Sequence, residues 1–196
     1  MNKSQFEDVL LSISKFVKDE KLILIAGSQA LHGSVEDALL PDSVIFSQEV
    51  DTSHFPIDEL SDEGKLFIEQ INEADFCLGE DGAYAETRGY FMEFIPFGLA
   101  VLPVGWENYT KTYIIESSKK EFLEIACLGP DEVAVSKLMR LNDKDKEVVD
   151  HLIEQNIIDP NVILGLLEGD LVHSDEMASS IPVALERAVN FIKSYI

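Results

Sequence analysis

The sequence predicts an α+β protein, with a mixed sheet and flanking helices over residues 1–128 and an all-helical part over 129–196. Three observations predict it. Apolar residues first recur at helical spacing, in Phe6, Val9, Leu10, Ile13, Phe16 and Val17. Runs of strand length follow, apolar or alternating, divided by Gly and Pro. After Gly129-Pro130 four helical patterns succeed one another.

The elements are justified in order. Ser4-Gln5-Phe6-Glu7 has capping-box form and predicts a first helix over about residues 5–18. Lys21–Ala26 is a continuous apolar run that suits a buried central strand. Gly27-Ser28 breaks it, and a short helix closed by Gly33 follows. Pro41-Asp42 punctuates, and "SVIFSQEVD" reads as the second strand. Its period of two puts Ile45, Ser47, Glu49 and Asp51 on one face, with Val44, Phe46 and Val50 turned to the core. Residues 57–74 read as a helix with Leu60, Phe67, Ile68 and Ile71 inward. "RGYFMEFI" (88–95) is a third strand, and "GLAVLPVGW" (98–106) is expected to pair with it across Pro96-Phe97-Gly98. "KTYIIESS" and "FLEIACLG" are further strands. The C-terminal helices are "DEVAVSKLMRL", "DKDKEVVDHLIEQN", "NVILGLLEG" after Asp159-Pro160, and "VALERAVNFIKSYI". The stripe Val183, Leu185, Val189, Phe191 and Ile192 reads as core or a dimer face. Trp106 reads as an anchor, His32 as a packed or solvated side chain, and Cys77 and Cys127 as small buried apolar groups.

Composition narrows the classes of function. Fifteen basic residues stand against 37 acidic ones, a net charge of −22. Such a surface repels polyanions, so bulk DNA binding is not expected. Lys119, Lys120, Lys137, Arg140, Lys144 and Lys146 are the residues from which one basic patch could be built. No apolar run reaches the roughly 20 residues a membrane span needs. "MNKSQFEDVL" lacks the apolar region of a signal peptide, and two cysteines are too few for a disulfide scaffold, so a cytoplasmic protein is expected.

Gly27-Ser28 and "SQEVD" carry the candidate chemistry. Gly27 permits a sharp turn and close approach of a ligand to the main chain. Ser28 adds a hydroxyl at the start of a short helix, where backbone N–H groups can receive a phosphate. Glu49 and Asp51 share one strand face and repel each other unless a cation lies between them, and Mg²⁺ takes such oxygen ligands together with bridging phosphates.

Gly-Ser, a gap, then [Asp/Glu]-x-Asp on a strand resembles the signature of the polymerase-β-like nucleotidyltransferase superfamily. With "GSQALHGS", "LGEDGAYAETRGYF", "LPVGW" and "CLGPDEVAVSKLMRLNDKDKEVVDHL", the chain resembles more closely a bacterial group of nucleotidyltransferase-fold proteins over about residues 22–165. These are relatives of toxin–antitoxin and abortive-infection (AbiEii-like) transferases. The resemblance implies a nucleotidyltransferase fold over 1–128 and a helical subdomain over 129–196. It implies that Gly27 and Ser28 hold the β- and γ-phosphates of a nucleoside triphosphate, and that Glu49 and Asp51 bind Mg²⁺, one ion or two. It implies that Lys137 reaches the triphosphate, that Lys144 and Asp145 form a basic-acidic pair, and that Arg140 neighbours them. Glu93 in "GYFMEFI" is the candidate third carboxylate, unless the third strand of the site is "LAVLP", which carries no acid.

The expected function is Mg²⁺-dependent transfer of a nucleoside monophosphate from an NTP to an acceptor hydroxyl on a tRNA end, a protein or a small molecule. The alternative is a degenerate nucleotidyltransferase fold that binds or regulates a partner protein. It is motivated by Glu49, where the superfamily more often carries Asp, and by the third carboxylate, which is Glu93 or is missing.

Overall fold

The computed structural model describes residues 1–116 and 122–196. Lys119 and Lys120 of the expected basic patch, and the last two residues of "KTYIIESS", lie outside the described residues. The elements in chain order begin with α1 (Lys3–Ile13), β1 (Ile23–Ile25), α2 (Asp42–Ile45) and β2 (Glu49–His54). Next come α3 (Asp62–Leu78), α4 (Ala83–Arg88), β3 (Phe91–Phe94), β4 (Leu102–Pro103), β5 (Lys111–Glu116) and β6 (Phe122–Cys127). The chain ends with α5 (Pro130–Arg140), α6 (Asp143–Glu154), α7 (Pro160–Leu167), β7 (Leu171–Val172) and α8 (Ile181–Lys193).

The molecule is α+β, with a mixed five-stranded sheet in the order β3-β2-β1-β6-β5 and helices around it. β1 is central and wholly buried, as a continuous apolar run should be. It pairs antiparallel with β2 and parallel with β6, while β2 and β3 run parallel. The core reaches from Phe6, Leu10 and Ile13 of α1 through Ile23, Leu24 and Ile25 to Val133, Leu138, Val148 and Leu152 of the C-terminal helices. α5 packs against α6, α7 and α8, and also against the segment Ser28–Gly33.

Several expectations are corrected. The first helix starts earlier, because Asn2 rather than Ser4 is its cap. Asn2 accepts from the Gln5 N–H at 3.0 Å and Gln5 returns the bond at 2.9 Å, a full capping box. It also stops at Ile13. The second strand is not "SVIFSQEVD": Pro41 and Asp42 open a helical turn, α2, and the strand begins only at Glu49. Phe46 therefore points to solvent, 77% exposed, while Val44 is buried as expected. β2 continues through Thr52, Ser53 and His54, polar residues that are nevertheless buried. The third helix begins after the Ser61 cap, so Leu60 lies outside it and is exposed.

"GLAVLPVGW" does not pair with β3. Leu102 and Pro103 instead form a two-stranded sheet with Leu171 and Val172, from within the part expected to be all helical. Pro103 cannot donate to a ladder on its nitrogen, which suits so short an edge pair. In the last helix Ile192 is buried, Leu185, Val189 and Phe191 are partly buried, and Val183 is exposed. Trp106 is buried and stacks on Phe55 at 5.4 Å. Cys127 is buried, and burial pushes its thiol up to about 12, whereas Cys77 is exposed rather than buried. Among the described residues no helix is long and apolar enough to cross a membrane.

Candidate functional site

β2 and β3 build the acidic side of the site. Their parallel register sets Asp51 opposite Glu93 and Glu49 opposite Phe91. Paired residues on neighbouring strands share a face, and residues two apart on one strand share it too. Glu49, Asp51 and Glu93 therefore project from one face, while Val50, Thr52 and Met92 of the opposite face are fully buried. "LAVLP" contributes nothing here, because it lies in the other sheet.

The turn after β1 closes on Asp51. The Ala26 N–H donates to the Asp51 carbonyl at 2.8 Å. Gly27 has φ +55° and ψ −162°, a conformation open essentially to glycine alone. Its missing side chain is also required by packing, since a Cβ there would overlap Asp51 Oδ2. Ser28 follows, 9% exposed. Residues Ser28–Gly33 form a 3-10 helix, not an α-helix, so the dipole expected at Ser28 is small and the local N–H groups and hydroxyl remain the donors. Gln29 ties this segment to the approach to β2, with Nε2 donating to Val44 O at 2.7 Å. His32 is packed, as expected: Nδ1 lies 3.1 Å from Asp37 and the ring stacks on Phe6 at 5.0 Å.

The basic side comes from α5 and α6. Lys137 is 3% exposed, and its Nζ meets Asp145 Oδ1 at 3.2 Å. Arg140 donates to the same oxygen at 2.8 Å from a half-exposed position. Asp145 is held by helix geometry, its N–H donating to Asn142 Oδ1 at 2.8 Å, and its Oδ2 is buried without a partner among the described residues. Lys144 reaches across to Glu49, Nζ to Oε1 at 3.9 Å. Lys137, expected to reach out to a triphosphate, is thus an internal cation, and Arg140 and Lys144 are the exposed ones.

Electrostatics reflect this crowding. Burial, then the charges of Glu49 and Glu93, push the Asp51 carboxyl up to about 6, against a smaller pull from Arg140 and Lys137. Burial also raises Glu93, helped by Glu49, Asp75 and Glu80. Burial pulls Lys137 down from the ordinary lysine value, with Asp145 opposing.

The carboxylate oxygens of Glu49, Asp51 and Glu93, from two paired strands, are of the kind a hard divalent cation takes, and burial followed by the acidic neighbours raises the Asp51 carboxyl. Among the described residues no three His, Cys, Asp or Glu side chains are gathered closely enough to hold a metal ion together. Asp75 and Glu80, which no local pattern singles out, bring their charges to bear on Glu93. Asp75 Oδ1 accepts the Phe94 N–H at 2.9 Å across 19 residues, a tertiary contact with no local signature. Comparison with known protein families, with curated proteins and with solved structures found no match to this chain.

Proposed function

We propose that this protein is a Mg²⁺-dependent nucleotidyltransferase that moves a nucleoside monophosphate from an NTP to an acceptor hydroxyl. The observation that carries the reading is the pairing of Asp51 with Glu93 across β2 and β3, with Glu49 on the same face and Gly27-Ser28 against Asp51. Glu49 and Asp51 would hold the cation between them, which would neutralise charge at the triphosphate and acidify the attacking hydroxyl. Ser28 and the backbone after Gly27 would take phosphate oxygens. Arg140 and Lys144 supply the exposed positive charge that a triphosphate needs. Glu93, the most exposed of the three acids, accepts the proton from the hydroxyl as its oxygen attacks the α-phosphorus. The bond from that phosphorus to the bridging oxygen breaks, and pyrophosphate leaves.

The second reading, a binding or regulatory module on a degenerate transferase fold, is favoured by two observations: Lys144 already lies against Glu49, and among the described residues no three acidic side chains are gathered closely enough to hold a metal ion. Isothermal titration with Mg²⁺ and each NTP, followed by incubation with α-labelled NTP and cell extract, tests both. Binding with label transfer supports the transferase. Binding without transfer supports the module. No binding at millimolar concentration removes both.

A further inference from the structure

A groove of about 710 Å³ opens beside Glu93, between the end of α3, the turn at residues 79–82 and β3 at the edge of the sheet. Its lining divides into two kinds. Asp75, Glu80, Asp81 and Glu93 supply carboxylates, and Phe76 and Phe91 supply aromatic surface. None of the described residues that line it is basic. Phe76 is 84% exposed, which leaves its ring free for contact. Asp75 is fixed in place by its bond to the Phe94 N–H.

The position of the groove matters as much as its charge. It shares Glu93 with the proposed reaction centre, and Arg140 and Lys144 do not line it, although the Arg140 charge is felt at Glu93. A triphosphate is repelled by four carboxylates and drawn to those two cations. An RNA end is repelled for the same reason. The occupant that suits the lining is cationic, with carbon segments that lie on aromatic rings while ammonium groups meet carboxylates.

We propose that this groove is the acceptor subsite, and that the acceptor is a small molecule carrying at least two ammonium groups beside the hydroxyl that receives the nucleotide. The inference rests on the transferase reading and names its substrate class. The acceptor oxygen forms the new bond to the α-phosphorus, its proton passes to the Glu93 carboxylate, and the phosphorus–oxygen bond to pyrophosphate breaks. The ammonium groups stay protonated and serve for binding only.

Spermidine, a triamine without a hydroxyl, is the probe. Isothermal titration should show one-to-one binding to the wild type. The double variant Glu80→Gln, Asp81→Asn should bind it about tenfold more weakly, from two partly exposed ion pairs. Glu176→Gln, Glu186→Gln removes the same charge from the C-terminal elements and should bind as the wild type does. Equal weakening in both double variants means diffuse attraction to an acidic surface and overturns the subsite, as does absence of spermidine binding. Titration of Mg²⁺ and NTP into the same proteins separates the two failures. NTP binding without groove-dependent spermidine binding sinks the acceptor inference alone. Loss of NTP binding in the wild type sinks the transferase reading, and the acceptor role with it.

Discussion

Gly27 lies directly under the carboxylate of Asp51, so closely that a Cβ on Gly27 would overlap Oδ2. The turn that ends β1 and the middle of β2 are thus one mechanical unit, joined also by the bond from Ala26 N–H to the Asp51 carbonyl. The Gly27-Ser28 turn and the acidic strand cannot move independently. That coupling has measurable consequences.

Gly27→Ala is expected to destabilise the fold on two counts. The backbone at φ +55°, ψ −162° costs a non-glycine residue about 1–3 kcal/mol. The overlap with Asp51 adds to this. In an Asp51→Ala background the overlap is gone and only the backbone cost remains. Urea denaturation of the four proteins should therefore show Gly27→Ala costing clearly less when Asp51 is alanine, with a coupling above about 0.5 kcal/mol. Strictly additive costs would show that the glycine serves the turn alone.

Asp51 should make stability fall as pH rises. Its carboxyl titrates near about 6 when folded and near 3.9 when unfolded, so the folded state holds the proton more tightly. The stabilisation is complete below about 4 and is lost as pH rises through about 6. A two-unit shift corresponds to about 2–3 kcal/mol, before solvent screening reduces it. Asp51→Asn removes the charge and nearly keeps the shape. Without ligand it should melt at or above the wild type at pH 7.5, with the advantage shrinking as pH falls and vanishing below about 4. It should also lack the rise in melting temperature that Mg²⁺ and NTP are expected to give the wild type. A variant that melts lower when apo yet keeps the full ligand shift would mark Asp51 as a structural carboxylate.

The parts that local pattern could reveal and the parts it could not divide on physical lines. β1 was legible because a strand buried on both sides needs an unbroken apolar run, and Ile23–Ile25 supplies one. The Gly27-Ser28 turn and the i, i+2 acids of β2 were legible because spacing along one strand fixes the face. β2 itself was misjudged at both ends. Val44 and Phe46 suggested a strand where Pro41-Asp42 opens a helical turn, and Thr52–His54 are buried despite their polarity. Leu102 and Pro103 pair with residues about seventy positions later, which no local periodicity encodes. The same limit hid the burial of Lys137: the resemblance implies that it reaches a triphosphate, and only the packing of α5 against α6 brings it to its counter-ion, Asp145.

Lys137 and Asp145 are expected to act as a buried pair. Removing one partner from such a pair leaves an uncompensated charge and costs about 3–5 kcal/mol, whereas replacing both with apolar groups can be near neutral. Arg140 also lies on Asp145 and softens the loss of Lys137 more than the reverse. Asp145→Ala should therefore destabilise more than Lys137→Met, and Asp145→Leu with Lys137→Met should recover part of the loss. Chemical denaturation of the three variants checks the order. Equal, small effects below about 0.5 kcal/mol would place the pair in solvent-like surroundings.

Glu93 provides the sharpest separation between acid chemistry and scaffold. It is exposed, so Glu93→Gln should change stability by less than about 0.5 kcal/mol. Its charge helps to hold Asp51 up, and its removal should lower the Asp51 pKa below about 6, readable as a carboxyl titration in the apo protein. If Glu93 accepts the hydroxyl proton, the same substitution should slow transfer by about 10²–10⁴-fold while NTP binding stays within a few-fold of wild type. The low-pH limb of the rate profile should flatten as well, because the group that must lose its proton before the reaction is gone. A shifted Asp51 titration with an unchanged rate would keep the register of β2 and β3 but remove Glu93 from the chemistry. An unshifted titration would mean that the two carboxylates do not sense each other, although Asp51 faces Glu93 across the strand pair, and the acidic face would then not act as one site.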